Sequence, residues 1–184
     1  MSIIYHMIPQ NFMGNTLHPL NQLKTHLPDI YAAQARKYVG REVLMQRKVP
    51  LLDCLWNDVL HFSPMYPSKI RDALISVGFR WNTRPWFAVD PINSGFGSEN
   101  AVIFLNTPPE DPTALGNFDF PKTDFISFSS KQLEKLAKME VPGATLEYLR
   151  FAKNNGDRPV LFNYIPHILY RGAIDVSNVE TVNL

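Results

Sequence analysis

Prolines divide this chain into short segments. The 184 residues include 15 prolines and 9 glycines. Proline fixes φ and has no amide hydrogen, so it ends strands and helices more often than it continues them. The apolar and amphipathic stretches between the prolines predict many short strands and helices without regular βαβ alternation. This order favours an α+β fold with mixed or largely antiparallel β-sheets and flanking helices.

Composition and charge limit the class of protein. Hydrophobic residues make up 45% of the chain and charged residues 19%, which is typical of a globular protein, and the length predicts one domain over residues 1–184. The net charge of +1 is too small for a generally basic nucleic-acid binder. A local basic cluster nevertheless lies between residues 36 and 48 and consists of Arg36, Lys37, Arg41, Arg47 and Lys48. The sequence leaves the oligomeric state open.

The termini and the apolar runs predict no membrane partner. The start, MSIIYHMIPQNFMG, lacks the basic region and the long apolar run of a signal peptide. No stretch reaches the roughly 18 apolar residues of a membrane helix. The single cysteine, Cys54, excludes an internal disulfide framework. We therefore expect a cytoplasmic protein.

The segment VPLLDCLWNDVLHFSPMYP combines an apolar strand pattern with reactive side chains. It predicts a strand that begins at Val49, ends near Pro64 and lines a cleft. The alternative is a core strand with one edge in water. Cys54 has leucines on both sides, which is typical of a buried thiol, although Cys54 or His61 could also serve an unrelated α+β hydrolase.

Common cofactor motifs are missing. The chain has no G-x-x-x-x-G-K-S/T loop, and SGFGSEN lacks the third glycine of a dinucleotide fingerprint. No two histidines have the spacing of a zinc protease. The sequence therefore predicts no metal site, no P-loop and no Rossmann site.

Several segments, taken together, resemble the ADP-ribosyltransferase superfamily, and in particular its DarT-like branch. SIIYHMI is similar to the first strand of that family with its histidine, and ARKYVGRE to the following basic helical stretch with its arginine. VPLLDCLWNDVLHFSPMYP is similar to the next strand and its Ser-Pro-Met turn, and PVLFNYIPHILYRGAIDVS to the two final strands. The middle of the chain, from Phe79 to Val141, has no counterpart.

The resemblance implies an ADP-ribosyltransferase-like split of the β-sheets, NAD as substrate, and a nucleic-acid or protein acceptor. It implies that Arg41 holds the pyrophosphate and takes part in catalysis. It further implies that His6 binds a ribose, that Trp56 faces the nicotinamide ring, and that Ser63 belongs to the same binding set near the rim of the cleft.

The family's catalytic glutamate has no direct match, because Pro159 stands at its position. That carboxylate stabilises the positive charge that develops on the ribose as nicotinamide leaves. Glu147 and Asp157 are the nearest acidic candidates for this catalytic role. The sequence therefore leaves two readings of the resemblance: an NAD-dependent transferase, or a noncatalytic nucleotide- or protein-binding module on the same fold.

Overall fold

The computed structural model describes residues 2–40, 42–110 and 120–184, in five α-helices and eleven strands. The helices are α1 Leu20–His26, α2 Pro28–Ala35, α3 Pro67–Ser76, α4 Ser130–Ala137 and α5 Gly143–Asn155. The strands are β1 Ile4–Met7, β2 Thr16–Leu17, β3 Lys48–Val49, β4 Cys54–Leu55, β5 Leu60–Phe62, β6 Pro85–Val89, β7 Ala101–Phe104, β8 Phe125–Ser127, β9 His167–Tyr170, β10 Ile174–Asp175 and β11 Glu180–Asn183. Single 3₁₀ turns cover Arg36–Tyr38, Glu42–Gln46, Trp56–Asp58 and Lys122–Asp124.

All ladders between the described strands are antiparallel. A three-stranded sheet has the order β1-β6-β11, and a four-stranded sheet has the order β5-β9-β7-β8. Strands β2 with β10 and β3 with β4 form two small ladders. The predicted α+β class with largely antiparallel sheets and flanking helices is confirmed.

The two larger sheets meet at a seam between β1 and β5. An isolated bridge joins Tyr5 to Ser63, and each backbone amide donates to the other residue's carbonyl at 2.8 Å. No continuous ladder connects these two strands within the described residues. The strands therefore lie side by side at the bridge and form no further ladder along the seam.

The four-stranded sheet is buried on both faces. Side chains alternate along each strand, so Phe62, Ile103 and Ile168 enter one hydrophobic cluster while Phe104 and Leu169 enter another on the opposite face. All five are at most 2% exposed. Helices α3 and α5 pack in a third cluster. A sheet covered on both sides gives the seam a rigid wall.

The segment from Val49 to Pro64 is not the single strand that the sequence predicts. It contains β3, a turn in which Asp53 takes φ +44°, β4, a 3₁₀ turn and then β5. Asp58 sets the 3₁₀ turn, because its carboxylate accepts the Leu55 amide at 2.8 Å and the Asn21 side-chain amide at 2.7 Å. This long-range contact with α1 bends a segment whose local pattern favours extended backbone.

The predicted strand in RPVLFNYIP is also wrong, because this segment forms turns that lead into β9. The side-chain amide of Asn106 donates to the carbonyls of Phe162 and Ile165 at 3.0 and 3.1 Å. Tyr164 takes φ +61°, a conformation that a strand does not contain. No described helix has the length and apolar character that crossing a membrane requires.

Burial within the four-stranded sheet predicts a large difference between two isoleucines. Ile103 is 0% exposed and Ile92 is 51% exposed. We expect Ile103→Ala to lower the free energy of unfolding by about 2–5 kcal/mol, because it leaves a cavity. Ile92→Ala should change it by less than about 0.5 kcal/mol. Urea denaturation measures both, and equal effects would contradict the assignment of β7 to the core.

Candidate functional site

A hydrogen bond at the seam fixes the state of His6. Its Nδ1 lies 2.8 Å from the carbonyl oxygen of His61, and its ring packs against Phe62 at 5.3 Å between centroids. A carbonyl oxygen can accept but not donate, so Nδ1 carries the hydrogen. The Nε2 atom of His6 is therefore the unprotonated nitrogen and can accept a hydrogen bond from a hydroxyl group.

His61 is held by the 3₁₀ turn that precedes it. Its Nε2 donates to the carbonyl of Trp56 at 3.1 Å, and its ring meets the indole edge to face at 4.5 Å. Nδ1 of His61 is therefore its accepting nitrogen. His6 contacts the backbone of His61, and Trp56 contacts the ring of His61. His61 therefore links the seam to the indole of Trp56.

An aromatic wall extends from the indole. The half-buried Trp56 lies 5.4 Å from Phe104 and 4.7 Å from Phe120, and these two rings are 4.5 Å apart. The guanidinium of Arg47 lies over Phe120 at 4.4 Å. The wall combines flat apolar rings with a cation, a combination that suits a flat aromatic ligand.

His167 completes a group of three histidines. Its ring is 6.2 Å from that of His61 and 5.4 Å from Phe162. Its buried Nδ1 has no hydrogen-bond partner of good geometry among the described residues. The backbone of Ile165 is near enough to raise the pKa of the ring in part, against the larger lowering by burial. The sequence interpretation missed His167, and its signal was a histidine at the start of the apolar strand HILY.

The three histidines are neutral near pH 7. Each residue is partly exposed as a whole, but its ring is surrounded by protein. Burial lowers the pKa of His6 to about 4, that of His61 to about 3 and that of His167 to about 4. The neighbouring His167 lowers the pKa of His61 further, and Lys37 lowers those of His6 and His61. The imidazoles are therefore suited to hydrogen bonding and stacking rather than to donating protons as general acids.

The predicted binding set is brought together only in part. His6 and Trp56 both contact His61, as described above. Ser63 is 2% exposed, and its hydroxyl already donates to the Met65 carbonyl at 3.0 Å and lies 3.1 Å from the Met65 amide. Arg41 lies outside the described residues. Its role stays a prediction, as does that of Ser63.

The two candidate carboxylates lie elsewhere. Glu147 is exposed on α5, and Asp157 is exposed in the turn that follows this helix. Helix α5 buries its opposite side, including Tyr148 and Leu149, in the cluster that it shares with α3, whereas Trp56 packs on a different cluster. Both carboxylates stay predictions, and no hydrogen bond or ion pair among the described residues joins either one to His6 or Trp56.

Cys54 does not have the surroundings of an active nucleophile. Its thiol is buried, and burial raises its pKa to about 11 despite the opposing effect of Arg171. A reactive cysteine needs a lowered pKa. Among the described residues, no three His, Cys, Asp or Glu side chains are arranged to hold a metal ion.

An open groove of about 380 Å³ lies against the three-stranded sheet. Its lining includes the carboxylates of Asp90, Asp175 and Glu180. Asp90 and Asp175 accept hydrogen bonds from nearby backbone amides, so they shape the local turns. Their negative charge disfavours a phosphate-bearing ligand in this groove.

Comparisons of the chain with protein-family models, with curated proteins and with solved structures found no match. The candidate site is therefore defined by its geometry alone.

The neutral histidines predict a loss of stability in weak acid. An unfolded histidine titrates near pH 6.5, whereas His61 in the folded protein titrates near 3. Below pH 6.5 the unfolded state binds more protons than the folded state does. The contribution of His61 to the free energy of unfolding is therefore greatest above this pH and falls as the pH drops towards 3. Each such histidine contributes a slope of at most about 1.4 kcal/mol per pH unit.

Urea denaturation between about pH 5 and pH 7 measures this slope. We expect His61→Gln to flatten it, because glutamine does not titrate. The matched change at the exposed His26, His26→Gln, should leave the slope as in the parent protein. An unchanged slope in His61→Gln would contradict a neutral, buried imidazole.

Proposed function

We propose that this protein binds NAD at the seam between β1 and β5, as an ADP-ribosyltransferase-like protein. The observation that carries the proposal is the His6–His61 hydrogen bond of 2.8 Å, which leaves Nε2 of His6 as an acceptor at the junction of two sheets. A ribose hydroxyl is a donor that fits this acceptor. The resemblance of SIIYHMI and VPLLDCLWNDVLHFSPMYP to that superfamily supports the same ligand.

The neighbouring groups have matching roles in this proposal. The indole of Trp56 offers a flat surface for the nicotinamide ring, in contact with the ring of His61 at 4.5 Å. Lys37 is close enough to lower the pKa of both His6 and His61, so it contributes positive potential near the seam. Positive potential favours the pyrophosphate, which Arg41 contacts according to the resemblance.

Transfer of ADP-ribose requires a carboxylate that stabilises the charge on the ribose. Asp58, the acid nearest to Trp56 in sequence, already accepts hydrogen bonds from Asn21 and Leu55. Glu147 and Asp157 are exposed on and after α5. These positions favour the second candidate function, a noncatalytic nucleotide-binding module on the same fold.

The remaining parts of the proposal concern the partner and the compartment. An active form would transfer ADP-ribose to a nucleic-acid or protein acceptor in the cytoplasm. A protein-binding module without turnover would use the bound nucleotide as a structural ligand. Nicotinamide release distinguishes the transferase from the noncatalytic module. NAD binding does not distinguish them, because the transferase and a nucleotide-binding module would both bind NAD.

Two substitutions test NAD binding. His6→Phe keeps a ring against Phe62 but removes the accepting nitrogen, and we expect it to weaken NAD binding by about 0.5–1.5 kcal/mol. Trp56→Ala removes the stacking surface, and we expect a loss of about 1–3 kcal/mol. Isothermal titration calorimetry measures both, with circular dichroism as a check that each variant is folded.

The matched controls are His26→Phe and Trp81→Ala. His26 is exposed on α1, and Trp81 packs on the cluster formed by α3 and α5. We expect parental NAD affinity in both. If the parent protein does not bind NAD, or if His26→Phe weakens binding as much as His6→Phe does, the proposed site is wrong.

A turnover assay tests the catalytic form. We expect little or no nicotinamide release when the protein is incubated with NAD and with nucleic-acid and protein acceptors. Glu147→Gln and Asp157→Asn should then leave this low rate unchanged. Strong release would contradict the noncatalytic form, and its loss in one amide variant would identify the responsible carboxylate, because an amide keeps the shape but not the charge.

A further inference from the structure

Residues 28–48 differ from the other helical parts of the chain in how little they bury. Helix α2 and the 3₁₀ turns Arg36–Tyr38 and Glu42–Gln46 contain no buried side chain among their described residues. Helices α1, α3, α4 and α5 each bury at least one side chain. A segment with few buried apolar contacts opens at a lower free energy than the core does.

The contacts of this segment converge on the candidate site. The Tyr38 hydroxyl donates to Oδ1 of Asn57 at 2.8 Å, and the Trp56 amide donates to the Arg47 carbonyl at 2.8 Å. The Arg47 guanidinium covers Phe120 at 4.4 Å. The segment therefore lies against the turn that carries Trp56, and it is held there by polar contacts rather than by apolar burial.

A buried donor lies beneath these contacts. Asn57 is 2% exposed, and its Nδ2 is buried without a hydrogen-bond partner among the described residues. Oδ1 accepts the bond from the Tyr38 hydroxyl, which leaves Nδ2 as the end of the amide that has no partner. A buried amide donor without a partner is costly, and an acceptor oxygen on a ligand relieves that cost.

Leu27, before the segment, and Gly40, inside it, interrupt its helical backbone. Leu27 separates α1 from α2 with φ −144° and ψ 69°, so the two helices are not continuous. Gly40 has φ +77°, a left-handed backbone conformation that favours glycine. A Cβ placed there would meet no atom within 4 Å, so close packing does not account for the glycine at this position. Beyond the segment, Leu23 on one side and Val49 on the other are buried and anchor it to the body.

We propose that residues 28–40 and 42–48 form a lid over the seam site, that Tyr38 latches it to Asn57, and that a bound ligand takes the hydrogen bond from Nδ2 of Asn57. The ligand class is a flat ring that carries a carbonyl oxygen, because Nδ2 donates and Trp56 lies next to it in the chain. The proposal rests on the proposed function for the choice of NAD as the probe. The lid itself is testable without any ligand.

Hydrogen exchange measured by mass spectrometry tests the lid in the ligand-free protein. We expect backbone amides of residues 28–48 to exchange faster than those of α5. Tyr38→Phe removes the latch, and we expect it to raise the exchange rate of the segment about two- to tenfold while α5 is unchanged. The control Tyr31→Phe removes a hydroxyl from the same segment without touching the latch. Exchange as slow as in α5, or equal effects of both variants, would overturn the lid.

Asn57→Leu tests the ligand contact. The change is made in the Tyr38→Phe background, where the latch is already absent and no hydroxyl is left without its acceptor. Leucine has a similar volume and no polar group, so we expect stability in urea equal to or above that of Tyr38→Phe alone, while NAD affinity in calorimetry falls about tenfold. Lower stability with unchanged NAD affinity would show a purely structural Asn57 and overturn its role as a ligand donor. If the parent does not bind NAD, the proposed function and the Asn57 contact fail together, whereas hydrogen exchange still decides the lid.

Discussion

The hydrogen bond from Nδ1 of His6 to the carbonyl of His61 is the contact on which the candidate site depends. It crosses the seam between a three-stranded and a four-stranded sheet, close to the Tyr5–Ser63 bridge. The bond fixes the tautomer of His6. It also places the accepting nitrogen beside the seam, where one backbone bridge joins β1 to β5.

Burial determines what chemistry the histidines can support. The rings of His6, His61 and His167 are surrounded by protein, and burial lowers their pKa values to between about 3 and 4. Neutral imidazoles next to Trp56 and Phe104 make an environment for aromatic and hydroxyl groups. Lys37 adds positive potential beside these rings, because it contributes to the lowered pKa of both His6 and His61.

The candidate site was predictable where a local pattern determines the position of a residue. His6 follows from a short apolar strand before Pro9, and Trp56 from the polar content of the segment that begins at Val49. The role of His167 and the burial of Asn57 were not predictable. His167 reaches the site because β9 pairs with both β5 and β7, and Asn57 is buried because Tyr38 and α1 pack on its turn. Such pairings depend on partners distant in sequence.

The sequence by itself determined the α+β class and the ends of several elements. Proline and alternating apolar residues act over a few neighbouring residues, so β1 ends before Pro9 and helices α2 and α3 begin at Pro28 and Pro67. The tertiary structure alone decided that the segment from Val49 to Pro64 bends and that RPVLFNYIP is not a strand. In both places a side chain from a distant part of the chain, Asn21 or Asn106, binds groups that local propensity would leave extended, and hydrogen bonds across such separations form only when the fold is complete.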